Sequence, residues 1–243
     1  MRKAALYIQG RIVVADSHLE AYRKLTLVEQ ESDALVSGFF DQSTDEFCAD
    51  CEKDHFFNKE IVLIRHAAIS DTEHPDPEIS DVGFKQAENI AKSLDGFPID
   101  EFCFLSSPML RCLQTANVLS ETLGKKIKVD PQLAETPSFL EDGETFCVQN
   151  RSRIFPNLLW EFSNDMILKK ESSAEFLART LKVLHSLPRK TIVVTHFGLI
   201  CNMTRLALCD YSARKVVDRG IPPASVTYIN KEELTCLGSH HAE

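Results

Sequence analysis

Three short apolar runs, each ending abruptly in polar chemistry, constrain the fold of this chain more than any other feature. Ile61-Val62-Leu63-Ile64 runs into Arg65-His66, Phe102-Cys103-Phe104-Leu105 into Ser106-Ser107, and Thr191-Ile192-Val193-Val194-Thr195 into His196. Runs this short read as strands buried on both faces rather than as buried helices. The stretches between them carry helical spacing. Ser80 is placed to cap a helix reaching about Leu94, with Phe84, Ala87, Ile90, Ala91 and Leu94 as its apolar face. A second helix is expected from about Met109 to Leu123, with Gly124 placed to stop it. A third, capped by Ser172 or Ser173 and carried by Phe176, Leu177, Leu181 and Leu184, closes near Pro188. Further strands are expected at 127–129, 225–229 and 234–237. Helical pieces are expected around 144–168, within the harder segment 131–170.

Strands and helices that alternate in this way predict an α/β fold: a doubly wound, mostly parallel sheet with helices on both faces. Ligands of such sheets bind outside the carboxyl ends of the strands, where the three polar termini converge. Residues 1–59 read differently. Leu6 to Val14 suggests a strand pair turning at Gln9-Gly10, and His18 to about Val36 has helical character. Asp41 to Lys59 is acidic and turn-rich. The organisation expected is therefore an N-terminal extension over 1–59 and a main domain over 60–243. The extension either packs on that domain or carries a site for a protein partner or self-association.

A net charge of -9 argues against a general binder of nucleic acid or anionic membranes, yet leaves room for a local basic pocket. No apolar run reaches the roughly 18 residues of a membrane span. Gln9, Gly10 and Arg11 interrupt the apolar N-terminal stretch too early for a secretory signal. The eight cysteines are scattered rather than spaced as a disulfide framework, so a reducing, cytoplasmic setting is expected. Cys48-x-x-Cys51 with His55 lacks a fourth ligand nearby, and no metal is assigned.

An Arg-His pair at a strand tip suits a phosphoryl group. The imidazole can attack phosphorus while the guanidinium holds the equatorial oxygens through paired N–H donors. Arg111 near a helix start opposes the helix dipole, a conflict that a bound phosphate would resolve. Taken singly, His66 and His196 could each be ordinary strand-end histidines. Ser107 and Thr195 either help to bind phosphate or only finish strands, and Arg151 and Arg153 read as a solvated face.

The motifs resemble those of the histidine phosphatase superfamily, also called the phosphoglycerate-mutase-like or histidine acid phosphatase fold. Arg65-His66-Ala67 is similar to its Arg-His-Gly, with Ala in the third position. Ile79-Ser80-Asp81-Val82-Gly83-Phe84-Lys85-Gln86-Ala87 resembles its Leu-Thr-x-x-Gly-x-x-Gln-Ala helix start. Ser106-Ser107-Pro108-Met109-Leu110-Arg111-Cys112-Leu113-Gln114-Thr115-Ala116 resembles its Ser-Ser-Pro-x-x-Arg-x-x-Gln-Thr-Ala block. Leu133-Ala134-Glu135, Val194-Thr195-His196-Phe197-Gly198 and Ala224-Ser225-Val226-Thr227 follow in the family's order, so the resemblance spans about 60–230.

The resemblance implies a metal-independent phosphomonoester hydrolase with His66, Glu135 and His196 as catalytic residues. Arg65, Arg111 and His196 would bind phosphate, and no cofactor is implied. His66 would become a transient phosphohistidine, its pKa depressed by the neighbouring cations. Glu135 would donate a proton to the leaving oxygen and then accept one from water, with Glu141, Asp142 and Glu144 as alternative acids. The substrate would be a small-molecule phosphomonoester or a phosphoprotein, with neither nucleic acid nor membrane as partner. A mutase is the alternative, although Ala68-Ile69-Ser70-Asp71 lacks the Glu and Asn-rich loop that follows the mutase histidine. A catalytically inactive phosphate-binding or interaction protein is the other alternative, should the Ala67 methyl group block the pocket.

Overall fold

The computed structural model describes residues 2–8, 11–15, 24, 36–41, 46–48, 59–70, 73–94, 96–136, 144–148, 151–161, 166–208, 221–229 and 234–239. The chain forms two compact units. One comprises Met1–Asn58, Glu171–Ser186 and Cys201–Gly220, the other Lys59–Lys170, Leu187–Ile200 and Ile221–Glu243.

In the first unit, β1 (Arg2–Ile8), β2 (Arg11–Ala15), β3 (Val36–Asp41) and β4 (Glu46–Cys48) form an antiparallel sheet in the order β2-β1-β3-β4. Ile8 stands opposite Arg11, so the expected strand pair is present; Gln9 and Gly10, the expected turn, lie outside the described residues. β3 and β4 were not expected; β3 exists because Val36 to Asp41 pairs with Arg2 to Tyr7 of β1, a long-range partner that local periodicity does not reveal. Apart from Lys24 and Val36, the helical stretch expected over 18–36 lies outside the described residues, as does His55. Helix α3 (Ser173–Ser186) also belongs to this unit. Its cap is Ser172: the Ser172 hydroxyl accepts from Glu175 N–H at 3.3 Å, and the Glu175 carboxylate accepts from Ser172 N–H at 3.0 Å.

The second unit holds strands β5 (Glu60–Arg65), β6 (Cys103–Ser106), β7 (Ile127–Val129), β8 (Thr145–Val148), β9 (Leu159–Trp160), β10 (Met166–Lys169), β11 (Lys190–Thr195), β12 (Ser225–Ile229) and β13 (Leu234–Ser239). Its main sheet has the order β13-β12-β5-β11-β6-β7-β9. The pairings from β5 through β11, β6 and β7 to β9 are parallel, whereas β12 is antiparallel to β5 and to β13. The mostly parallel α/β class is as expected. Among the described residues of 144–168, however, there are strands rather than helical pieces. β8 and β10 pair antiparallel, Thr145 opposite Lys169, and the β-favouring Thr145-Phe146-Cys147-Val148 finds a partner about twenty residues away.

Two helices of this unit frame the site. α1 (Asp81–Ser93) is capped by Ser80, whose hydroxyl accepts from Gly83 N–H at 3.1 Å. Its buried positions are Gly83, Gln86, Ala87, Ile90 and Ala91; Phe84, expected inside, is exposed. The helix turns its Gly83 edge against the chain, and the next residue swings about 100° towards solvent. α2 (Leu110–Leu123) ends at Gly124 in the left-handed conformation, φ 65°, which favours glycine. α4 (Phe197–Leu208) contributes Phe197–Ile200 to this unit. Alternate strand residues Val62, Ile64, Phe104, Ile192, Val194 and Val226 share one buried cluster with Ile90, Leu113, Ala116 and Leu119 of α1 and α2. That packing fixes where the strand ends lie.

Candidate active site

The parallel strands β5, β11, β6 and β7 are neighbours, so their carboxyl ends lie side by side. The ladder continues one residue beyond the strands. His66 N–H donates to the Thr195 carbonyl at 2.9 Å, Ser107 N–H to Val194 at 2.9 Å, and Asp130 N–H to Ser106 at 2.9 Å. His66 and His196 are thereby set in register, and their ring centroids stand 5.3 Å apart, tilted by 57°. Both are buried, at 6% and 1% exposure.

His66 is held in one tautomer. Its Nδ1 lies 2.9 Å from the Ala67 carbonyl oxygen, which can only accept, so Nδ1 carries the proton and Nε2 keeps the lone pair. Burial, then the Arg111 charge, and more weakly Arg65, press its pKa down to about 3. The depression expected from neighbouring cations is present, with burial as the larger cause. The Arg65 guanidinium donates to the Ile221 carbonyl and lies 5.4 Å from the centre of the Phe197 ring. Ala224, in the left-handed conformation at φ 62°, donates its N–H to the His66 carbonyl at 3.1 Å. The 221–224 turn therefore grips both residues of the Arg-His pair.

His196 Nε2 lies 2.7 Å from the Ser107 hydroxyl and 3.4 Å from Cys112 Sγ. Burial pushes the Cys112 thiol far up, so it stays neutral beside the imidazole. Ser107 also accepts Met109 N–H at 3.3 Å. Thr195 donates to the Leu133 carbonyl at 2.9 Å and ties the segment carrying Glu135 to the end of β11. In both cases the hydroxyl braces a neighbouring site residue.

Glu135 lies at the start of α4. One of its oxygens accepts Gly198 N–H at 2.9 Å, the other Thr136 N–H at 3.2 Å. A carboxylate there complements the helix dipole. A Cβ at position 198 would come within 2.7 Å of a Glu135 oxygen, so glycine is what permits the approach. Of the alternative acids, Glu144 is exposed, and Glu141 and Asp142 lie outside the described residues.

The Ala67 methyl group is wholly buried in an apolar cluster with Ile79 and Ala87, against Val118. The loop after His66 is held through its backbone. Ala67 N–H donates to Thr115 Oγ1 at 3.1 Å, Ala68 N–H to Gln86 Oε1 at 2.9 Å, and Ile79 N–H to Gln114 Oε1 at 2.8 Å. Those amide and hydroxyl groups lie in the motif blocks, but nothing in the sequence marks them as backbone braces.

Asp76 was missed altogether. It is fully buried and accepts Leu110 N–H at 2.9 Å at the start of α2. Its carboxylate lies 3.5 Å from Arg111 and 2.6 Å from Arg151. The reading of Arg151 as a solvated residue is thus corrected: an ion pair with a buried carboxylate holds it at 15% side-chain exposure. Arg153 is exposed, as expected.

Chemically, the site offers an unprotonated imidazole nitrogen, a second buried imidazole, arginines whose charge acts on the first, and a carboxylate braced by the same strand ends. Comparisons with known proteins identify the fold and the family. A solved mycobacterial glucosyl-3-phosphoglycerate phosphatase, in complex with inorganic phosphate, matches with a TM-score of 0.51 at 22% identity, over 76% of this chain and 100% of that one. A structure called mycobacterial hydrolase 2 matches with a TM-score of 0.52 at 20% identity, over 76% of this chain and 93% of that one. At these identities the likeness is one of fold. A protein of Hydrogenobacter thermophilus, provisionally named phosphoserine phosphatase 2, is 26% identical over 166 residues, 62% of this chain and 81% of its own length. The sequence model of the histidine phosphatase superfamily, branch 1, matches residues 61–236, and the chain belongs to that family.

Proposed function

We propose that this phosphatase of the histidine phosphatase superfamily hydrolyses phosphomonoesters, without a metal, through a phosphohistidine on His66. The observation that carries the reading is the state of His66: buried, locked by Nδ1 on the Ala67 carbonyl, and neutral, so that Nε2 is a ready nucleophile. Nε2 attacks phosphorus in line, an N–P bond forms and the ester P–O bond breaks. Glu135, which must be protonated when the ester binds, gives that proton to the leaving oxygen, then takes one from the water that attacks phosphorus and breaks the N–P bond. Arg65, Arg111 and His196 hold the equatorial oxygens and offset the charge of the transition state.

Ala67 does not weigh against activity. Its methyl packs between Ile79 and Ala87, and its φ is not positive, so the backbone does not demand glycine. The names of the relatives favour small phosphorylated metabolites as substrates. A cytosolic setting accords with free thiols at Cys103, Cys112 and Cys147, and among the described residues no helix is long and apolar enough to cross a membrane. Residues 1–59 are proposed as an extension open to a protein partner or self-association, and 60–243 as the catalytic domain.

Hydrolysis of p-nitrophenyl phosphate in EDTA by the wild type and His66→Ala tests the reading. Rapid quenching with a labelled substrate should trap an acid-labile, alkali-stable phosphoenzyme. Turnover that survives in His66→Ala, or depends on added metal, would overturn it.

A further inference from the structure

The side chain that the proposed reaction leaves unused is Asp76, a fully buried carboxylate between Pro75 and Pro77. Its oxygens are divided among three partners on two pieces of chain, Leu110 and Arg111 at the start of α2 and Arg151 about 40 residues later. Oδ1 accepts Leu110 N–H at 2.9 Å and lies 3.5 Å from Arg111, while Oδ2 lies 2.6 Å from Arg151. Asp76 N–H itself donates to His74 Nδ1 at 3.0 Å, which braces the backbone that carries the carboxylate.

Arg111 lies in the first turn of α2, where the helix dipole repels a cation. With Asp76 at that end, the exposed helix N–H and the guanidinium share one anion, and the repulsion becomes an anchored pair. The 3.5 Å contact with Arg111 is long, so Asp76 steers the guanidinium and leaves its remaining donors for phosphate. Arg151 takes the shorter contact and supplies the charge that keeps Asp76 from neutralising Arg111. Two guanidinium groups and one carboxylate leave one net positive charge for the substrate.

We propose that Asp76 is a positioning residue for phosphoryl transfer: it aims Arg111 at the transferred group, with Arg151 as its counter-charge. The proposal rests on the assignment of Arg111 as a phosphate ligand. Misaiming such a group by about 1 Å costs up to about 100-fold in rate.

A double-mutant cycle on Asp76→Asn and Arg111→Ala separates steering from general support of the fold. In the wild-type background, Asp76→Asn should lower kcat/KM for p-nitrophenyl phosphate by about 100-fold, mainly in kcat. In the Arg111→Ala background it should cost less than about threefold, because nothing is left to aim. An equal loss in both backgrounds, or no loss in either, overturns the proposal. If Asp76→Asn does not fold, Asp76→Asn with Arg151→Met removes the opposite charges together; it should show the same loss, and full activity would overturn the proposal. Binding of inorganic phosphate, measured by calorimetry across the same cycle, reads the Asp76–Arg111 coupling without any turnover. The test therefore stands even if hydrolysis through His66 fails.

Discussion

At the scale of single residues, the property with the widest consequences is the low pKa of His66, near 3 against an ordinary 6.5. The imidazole stays neutral through the whole range in which free histidine titrates. In an NMR titration, its ring carbon and proton shifts should stay flat from pH 5 to 8. A midpoint near 6.5 would show that burial and the arginines do not act as described. The same depression bears on stability. Between about 3 and 6.5 the unfolded chain binds a proton that the folded one refuses, so His66 favours unfolding increasingly as pH falls through this window, and the effect is absent above it. Replacement by Gln should therefore narrow the stability gap between pH 7 and pH 4, as read by urea midpoints. Gly198 gives a second test. In Gly198→Ala the new methyl would meet the Glu135 carboxylate, a movable group, rather than backbone. If Glu135 transfers protons as proposed, turnover should fall by about 10- to 100-fold through its displacement, with melting nearly unchanged.

The elements show which parts of the site were legible. Arg65-His66 and His196 could be placed from sequence because a parallel sheet leaves its polar strand ends at one edge, and apolar runs followed by polar residues mark those ends. Ser80 and Gly124 were equally legible, since a cap residue acts within one turn of itself. Asp76 was not, because its worth depends on two arginines 35 and 75 residues away in sequence, brought together only by the fold. β8 and β10 escaped for the same reason, since four-residue strands are too short for a clear alternation and neither names its partner. Gly83 shows the mechanical role of a motif residue. A Cβ there would lie 2.2 Å from the Ala68 carbonyl oxygen, a backbone atom that cannot yield alone. Gly83→Ala should destabilise the protein by about 1–3 kcal/mol in urea denaturation, with α1 pushed off the loop that follows His66. An unchanged midpoint would mean that the loop moves freely and does not brace the nucleophile.

For the whole molecule, the sequence suggested an extension over 1–59 and one domain over 60–243, whereas the compact units are discontinuous in sequence. Met1–Asn58 is grouped with Glu171–Ser186 and Cys201–Gly220, so the unit containing the N-terminal sheet draws α3 and the later part of α4 from the second half of the chain. A reading along the sequence cannot detect this, because it assigns contiguous stretches to domains. The division leads to opposite expectations for catalysis and for stability when residues 1–58 are removed. Arg65, His66, Asp76, Arg111, Glu135, Arg151 and His196 all belong to the other unit, so turnover per folded molecule should stay within about twofold. α3 would lose β1 to β4 from its own unit, so melting should fall by more than about 5 °C, the shift expected for 1–2 kcal/mol in a chain of this size. A chain beginning at Lys59, compared with the full chain by p-nitrophenyl phosphate turnover and by thermal melting, distinguishes the cases. Equal turnover with lower melting is the expected result and makes 1–58 a structural part of its unit. Equal melting would make 1–58 a dispensable extension, and its role would then have to lie in a partner or in self-association. Lost turnover in a chain that still folds would mean that the proposed site residues depend on the N-terminal region, contrary to their placement in one compact unit.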